Sequence, residues 1–287
     1  MSRLVLTSPR LEKHSVLEAL EALQLPTLGV EVKHNRYVCE LPEAVTLTAT
    51  LLQEVLKPVA MTHEFDYALL ESQVNADQFK LLAMDMDSTL ITIECIDEIA
   101  DFVGKKKEVS EITEAAMRGE IADFTESLTR RVALLRGVPE SALDAVYNER
   151  LRLSPGAENL LAFARTNGWK TLLVSGGFTF FTDKLKARLG LDYTRANTLE
   201  IVDGHLTGKV LGPIIDGQAK METVQETCTQ MGIDSRRSIV MGDGANDLKM
   251  MSISGASVAF RAKPAVQLQT DYCINFGGLD TVCQWLI

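Results

Sequence analysis

The chain has 287 residues, 46% of them hydrophobic and 24% charged, with a formal net charge of −10. This is enough apolar material for one large core or two medium ones, and the acidity opposes nucleic acid or an anionic membrane as the main partner, because a phosphate polymer is repelled overall. The N-terminus lacks the apolar stretch of a secretory signal and no run approaches a membrane span, so a cytoplasmic location is expected.

In chain order, "RLVLTS" reads as a strand, residues 10–23 as an amphipathic helix, and "TLGVEVK" and "RYVCEL" as strands joined at His34-Asn35. A helix over 43–56 and the strand "EFDYALLE" complete a βαββαβ order, the ferredoxin-like split βαβ. This order resembles the ACT-type amino-acid-binding fold, although the glycine expected after the first strand is missing in "LTSPRLEKHS". Serine binding and homodimer assembly are both open as roles for it. The polar "SQVNADQ" at 72–78 suits a linker, which sets the expected domains at 1–75 and 76–287.

After the linker come short apolar runs, "KLLAM", "KTLLV", "SIVM", "ASVAF" and "YCINF", separated by helical stretches. Such runs fit strands buried on both faces of a parallel sheet in a doubly wound α/β domain. The interval between the first two is too long for one crossover and is charged and helix-patterned, so a helical cap inserted at about 95–153 is expected. "VDGHLTG" carries the Asp-Gly signal of a tight hairpin.

Asp85, Ser175 and Asp243 each follow an apolar strand at once or within two residues. In an open parallel sheet the carboxyl ends of the strands share one edge, where ligands bind. In an extended segment Asp85 and Asp87 face the same way. Two acids in one place repel unless a cation or shared proton intervenes. A hard divalent ion resolves this, and Mg2+ is favoured because it takes few carboxylates and leaves positions for water and phosphate oxygens.

"DMDST", "SGG", the solitary Lys220 and "GDGAND", in that order, resemble the motifs of the haloacid dehalogenase-like phosphohydrolases. "DMDSTLITIECIDEIA", "FTESLTRRVALL", "LVSGGF" and "GDGANDLKM" are similar to the phosphoserine phosphatase branch of that family, from about residue 80 to the C-terminus. The resemblance implies a Rossmann-like parallel core and hydrolysis of O-phosphoserine through an aspartyl phosphate. Asp85 is then the nucleophile and Asp87 the general acid and base. Mg2+ is held by Asp85, Asp243 and the main-chain carbonyl of Asp87. Ser175, the Gly176 N–H and Lys220 meet the phosphoryl group, and Asn246 and Asp247 orient Asp243, metal waters or Lys220. Glu94 and Arg131 meet the ammonium and carboxylate of the substrate, with Met117 and Phe124 sealing the pocket.

Each of these residues also has a plainer reading. Arg131 adjoins Arg130 and also reads as an exposed basic face, Glu94 as a loop acid, and Met117 with Phe124 as core packing at near-helical spacing. Lys105, Lys106 and Lys107 read as solvated surface. Cys39, Cys95, Cys228, Cys273 and Cys283 are scattered without a CxxC pair, so they suggest neither a disulfide framework nor a zinc site. His14, His34, His63 and His205 show no clustering along the chain, and none is assigned to catalysis.

Overall fold

Ten strands make one continuous sheet in a computed structural model that describes residues 2–71, 73–117, 121 and 123–286. The strands are β1 (Ser2–Thr7), β2 (Arg36–Leu41), β3 (Asp66–Glu71), β4 (Leu81–Met84) and β5 (Lys170–Phe178). They continue with β6 (Tyr193–Val202), β7 (His205–Leu211), β8 (Ser238–Gly242), β9 (Ala256–Phe260) and β10 (Tyr272–Ile274). Their spatial order is β2-β1-β3-β10-β9-β8-β4-β5-β6-β7. From β10 through β6 the pairs are parallel. Leu82, Met84, Leu173, Ile239 and Met241 face one core, while Leu81, Ala83, Leu172, Val174 and Val240 face the other. Burial on both faces is why these strands appear as unbroken apolar runs.

At the N-terminal end, α1 (Lys13–Ala22) packs with a helix built from α2 (Ala49–Leu51), a wide turn at Leu52–Leu56 and α3 (Lys57–His63). Two expectations fail here. The run "TLGVEVK" is not a strand; Gly29 at φ +76° turns the chain, and only Lys33 bridges Arg36. The second helix begins at Ala49, where the Thr48 hydroxyl accepts the Leu51 N–H at 3.2 Å, and it runs past Pro58 to His63. The π-type turn at Leu52–Leu56 precedes Pro58, widening the register where an amide hydrogen is missing.

This N-terminal unit shares the sheet of the core. Tyr67 of β3 pairs with Cys273 of β10, and the buried Asp66 carboxylate accepts main-chain N–H groups from Asn275 at 2.6 Å, Gly277 at 2.7 Å and Phe276 at 3.2 Å. Trp285 Nε1 donates to Thr7 Oγ1 at 3.2 Å.

Between β4 and β5 lie four cap helices, α4 (Cys95–Asp101), α5 (Lys106–Met117), α6 (Phe124–Ala133) and α7 (Ser141–Ala145), the last continued by a wide turn at Val146–Arg150. The chain leaves and re-enters the core side by side: Thr92 N–H donates to Arg152 O at 3.0 Å and Ser154 N–H to Leu90 O at 2.9 Å. The core helices are α8 (Ala157–Thr166), α9 (Thr179–Leu189), α10 (Gly217–Gln230), α11 (Leu248–Ser252), α12 (Pro264–Gln267) and α13 (Thr281–Leu286). β6 and β7 form the expected hairpin, turned at Asp203 (φ +50°) and Gly204 (φ +71°), and the cap leans on it through Gly137 N–H to Leu206 O and Leu206 N–H to Val138 O, both 2.8 Å. Among the described residues, no helix is long and apolar enough to cross a membrane.

Candidate active site

Three strand ends and one helix converge at the carboxyl edge of the sheet. Asp85 ends β4 and is tied to β8 by its N–H, which donates to Met241 O at 3.0 Å. The chain then turns sharply through Ser88, whose φ is +55°. The backbone is not extended between the two acids, because Met86 is helical, and Asp85 points to the helix α10, whereas Asp87 points to β5 and the start of the cap. Lys220 of α10 is fully buried and places Nζ 2.7 Å from Asp85 Oδ1 and 2.8 Å from Asp247 Oδ1. Lys220 is thus a core ion-pair partner rather than a solvated helix residue.

Asp87 is held on both oxygens. Oδ1 accepts the Cys95 N–H at 2.8 Å, and Oδ2 lies 3.4 Å from the donating Ser175 Oγ. Ser175 Oγ also accepts the Gly177 N–H at 2.8 Å, within the irregular end of β5. A Cβ at Gly177 would lie 2.6 Å from Asp87 Oδ2, so only glycine lets this backbone approach the acid.

Oxygens of Asp85, Asp243 and Asp247 all lie within 4.8 Å of one another. A trio of hard carboxylate oxygens at this spacing fits a hard divalent cation. Asp247, expected to orient other groups, meets Lys220 and also joins this trio; its second oxygen accepts the Gly244 N–H at 3.0 Å. Asn246 stands in the same turn, its main-chain carbonyl against Gly217 at the start of α10.

The electrostatics ask for the same cation. Burial pushes the Asp85 carboxyl well above the usual range, and Asp247, Asp243 and Asp87 add to this against the opposing Lys220. Burial, then Asp247, pushes Asp243 up to about 7. Asp87 is raised by burial, against the hydrogen bonds from Cys95. For Lys220, burial works against the charge, but Asp247 and Asp85 outweigh it and leave the ammonium more basic than free lysine. One buried ammonium is too little positive charge for four clustered aspartates.

Above the edge, the cap supplies the other expected residues. Glu94 precedes α4 and accepts the Ser88 hydroxyl at 2.7 Å; burial and then Asp87 push its carboxyl up to about 8. Arg131 of α6 is half-buried, and desolvation lowers its pKa, while Glu94, Asp97 and Asp87 pull it back up. Its neighbour Arg130 is the exposed member of the pair and bonds Glu126 one turn away. The basic-face reading belongs to Arg130. Phe124 stands over Gly176, with Cζ 2.8 Å from where a Cβ would be. Met117 ends α5, and its side chain lies outside the described residues. Lys105 and Lys106 are on the surface, paired with Glu108 and Glu98.

Two supporting residues were not anticipated. Buried Asn197 donates from Nδ2 to Gly176 O and accepts the Ile215 N–H at Oδ1, both at 2.8 Å, bracing the irregular end of β5. Thr89, fully buried, donates to Asp243 Oδ1 at 3.2 Å. Thr89 was legible only as part of "DMDST"; "RANTLE" around Asn197 carries no local signal.

Residues 82–252 match the family model of the haloacid dehalogenase-like hydrolases. A phosphoserine phosphatase from Polaromonas is 58% identical over 210 residues, spanning 72% of this chain and 89% of its own. The crystal structure of a haloacid dehalogenase-family hydrolase from Salmonella enterica serovar Typhi superposes with a TM-score of 0.88 at 33% identity, over 98% of this chain and 97% of the other. A phosphoserine phosphatase solved as an analogue of its phospho-aspartyl intermediate superposes with a TM-score of 0.68 at 37% identity, over 73% of this chain and 99% of its own.

Proposed function

We infer the function from one premise: the chain belongs to the haloacid dehalogenase-like hydrolase family, and within it is a phosphatase. We propose that it hydrolyses O-phosphoserine to serine and phosphate through an aspartyl phosphate on Asp85, with Mg2+, as the last step of serine biosynthesis in the cytoplasm. The observation that carries the substrate is that half-buried Arg131 of α6 and Glu94 at the start of α4 lie close enough for the carboxylate to act on the guanidinium, with the charge of Asp87 acting on both. A guanidinium and a carboxylate facing one cleft match the carboxylate and ammonium of an amino acid.

Phosphate monoesters react so slowly unaided that up to ~20 kcal/mol or more of barrier must be removed, which no single contact supplies. Lys220 holds Asp85 Oδ1 and leaves Oδ2 free for in-line attack on phosphorus. The P–O bond to the serine oxygen breaks as the P–O bond to Asp85 forms. Asp87, kept protonated more readily by burial, gives its proton to the departing serine oxygen. It then takes a proton from the water that attacks phosphorus and frees Asp85. Ser175, the Gly176 N–H and Asn246 receive phosphoryl oxygens. Asp85, Asp243 and the Asp87 carbonyl would hold Mg2+, with Asp247 beside them, and the ion would supply positive charge against the phosphate dianion. Phe124 on Gly176 keeps water out while the cap is closed.

The N-terminal 1–75 unit is read as an ACT-like module that binds serine or assembles a homodimer. The Polaromonas phosphatase matches only 72% of this chain over 89% of itself, which supports the unit as an addition to a catalytic core. Phosphate release from a panel of phospho-amino acids and sugar phosphates, with and without Mg2+, tests the assignment. Preference for O-phosphoserine with an absolute need for Mg2+ is expected, and equal turnover of sugar phosphates would reject the substrate.

A further inference from the structure

The four histidines are dispersed in sequence, yet folding brings two of them together far from the catalytic edge. His14, in the first turn of α1, and His63, the last residue of α3, stack edge to face with ring centroids 5.4 Å apart. His14 Nδ1 lies 3.1 Å from Glu12 Oε2, and His63 Nε2 lies 2.6 Å from Glu18 Oε2. The opposite nitrogens, His14 Nε2 and His63 Nδ1, both face Ser15 Oγ, at 3.4 and 3.3 Å.

Proton counting makes this arrangement informative. An ionised carboxylate only accepts, so the ring nitrogen facing each glutamate carries the hydrogen. His14 Nε2 and His63 Nδ1 then present lone pairs, and the one hydroxyl hydrogen of Ser15 can serve only one of them. With both rings neutral, the other lone pair is left facing oxygen lone pairs, an arrangement that a cation, a proton or a metal ion, relieves. Imidazoles whose far N–H is held by a carboxylate are also the usual form of histidine metal ligands, because the carboxylate fixes the tautomer and raises the basicity of the free nitrogen. His14 is more than half exposed at its side chain, 59%, so an ion can enter from solvent and the ring can turn to meet it.

We propose that His14 Nε2 and His63 Nδ1 bind a divalent transition-metal ion of the zinc class, with the Ser15 hydroxyl and water completing its shell. The site is chemically distinct from the aspartate cluster. Imidazole favours zinc, copper and nickel, whereas carboxylate oxygens favour magnesium. Binding joins the start of α1 to the end of α3 and therefore stabilises the N-terminal unit.

The test uses the full-length protein with Mg2+ in excess, so that the aspartates are saturated, and titrates zinc chloride by calorimetry. One equivalent of zinc is expected to bind. Both His14→Ala and His63→Ala should weaken binding by at least about tenfold, and Glu18→Gln by about tenfold through the supporting carboxylate. Copper(II) added instead of zinc should show nitrogen hyperfine structure in its paramagnetic resonance spectrum that His14→Ala reduces. Phosphate release with Mg2+ should be unchanged in His14→Ala, which also reports that the variant is folded. Absence of zinc binding to the wild type, or equal binding by wild type and both histidine variants, would overturn the site, and neither result would bear on the phosphatase assignment.

Discussion

Phe124 of the cap rests directly on Gly176 of the core, so close that a Cβ at position 176 would stand 2.8 Å from Phe124 Cζ. The contact joins a helix of the inserted cap to the end of β5, where the proposed reading puts the phosphoryl group. It gives this conformation the character of a closed state, in which water is kept from the reacting atoms.

Gly176→Ala is therefore expected to prop the cap open. Its kcat/KM for O-phosphoserine should fall by about tenfold or more, and Phe124→Ala introduced on top should recover part of the loss by removing the clash. Steady-state kinetics of the two single variants and the double variant decide this. Strict additivity would mean that the two residues do not act on one another.

Arg131 and Arg130 are adjacent in sequence and differ in environment, one half-buried near Glu94 and Asp97, the other exposed and bonded to Glu126. Arg131→Ala should raise KM for O-phosphoserine by about a hundredfold, or about 2.8 kcal/mol, at the lower end of what truncating one partner of a charge contact costs. A small aryl phosphate, which offers no carboxylate, should be much less affected. Arg130→Ala should behave like wild type on both. The comparison is made by kcat/KM on the two substrates.

Lys220 neutralises Asp85 and Asp247 in a site from which water is excluded. Lys220→Met should abolish measurable turnover and also destabilise the protein by about 3–5 kcal/mol, since it leaves buried carboxylates unpaired. Adding Asp247→Asn to Lys220→Met should restore stability without activity. Chemical denaturation alongside phosphate release separates the two effects.

Stability without metal should fall as pH rises. Glu94 is raised from 4.5 to about 8 and Asp243 from 3.8 to about 7, so the folded protein holds these protons more tightly than the unfolded chain. Stability from this source is fully present below the unfolded values, about 4, and is lost progressively as pH climbs to about 8. A cation at the aspartates replaces the proton on Asp243, so Mg2+ should flatten the upper part of that decline and bind more tightly as pH rises. Thermal unfolding across this window, with Mg2+ and with a chelator, provides the check.

How much of this was legible beforehand varies with the range of the interaction. "LLAM" before Asp85 and "SIVMG" before Asp243 place their acids at one edge because a parallel strand buried on both faces announces itself locally. The separate aims of Asp85 and Asp87 were not legible, since they depend on the backbone leaving the extended conformation at Met86. Asn197 and Thr89 escaped notice because their partners are groups brought near only by the fold, in the case of Thr89 a carboxylate 154 residues away. Asp66 was read as an ordinary strand residue for the same reason: its three main-chain donors lie 209 to 211 residues on. The missing strand at 27–33 is a local failure, in which alternating apolar residues outweighed Gly29 and its turn.

The most direct test of the central claim is to quench the enzyme within one turnover of O-phosphoserine in Mg2+, cut the acid-denatured protein, and locate the phosphoryl group by mass spectrometry. Phosphate on Asp85, absent in Asp85→Asn, is the expected result. A phosphorylated residue elsewhere, or turnover by Asp85→Asn at a rate near wild type, would contradict the account.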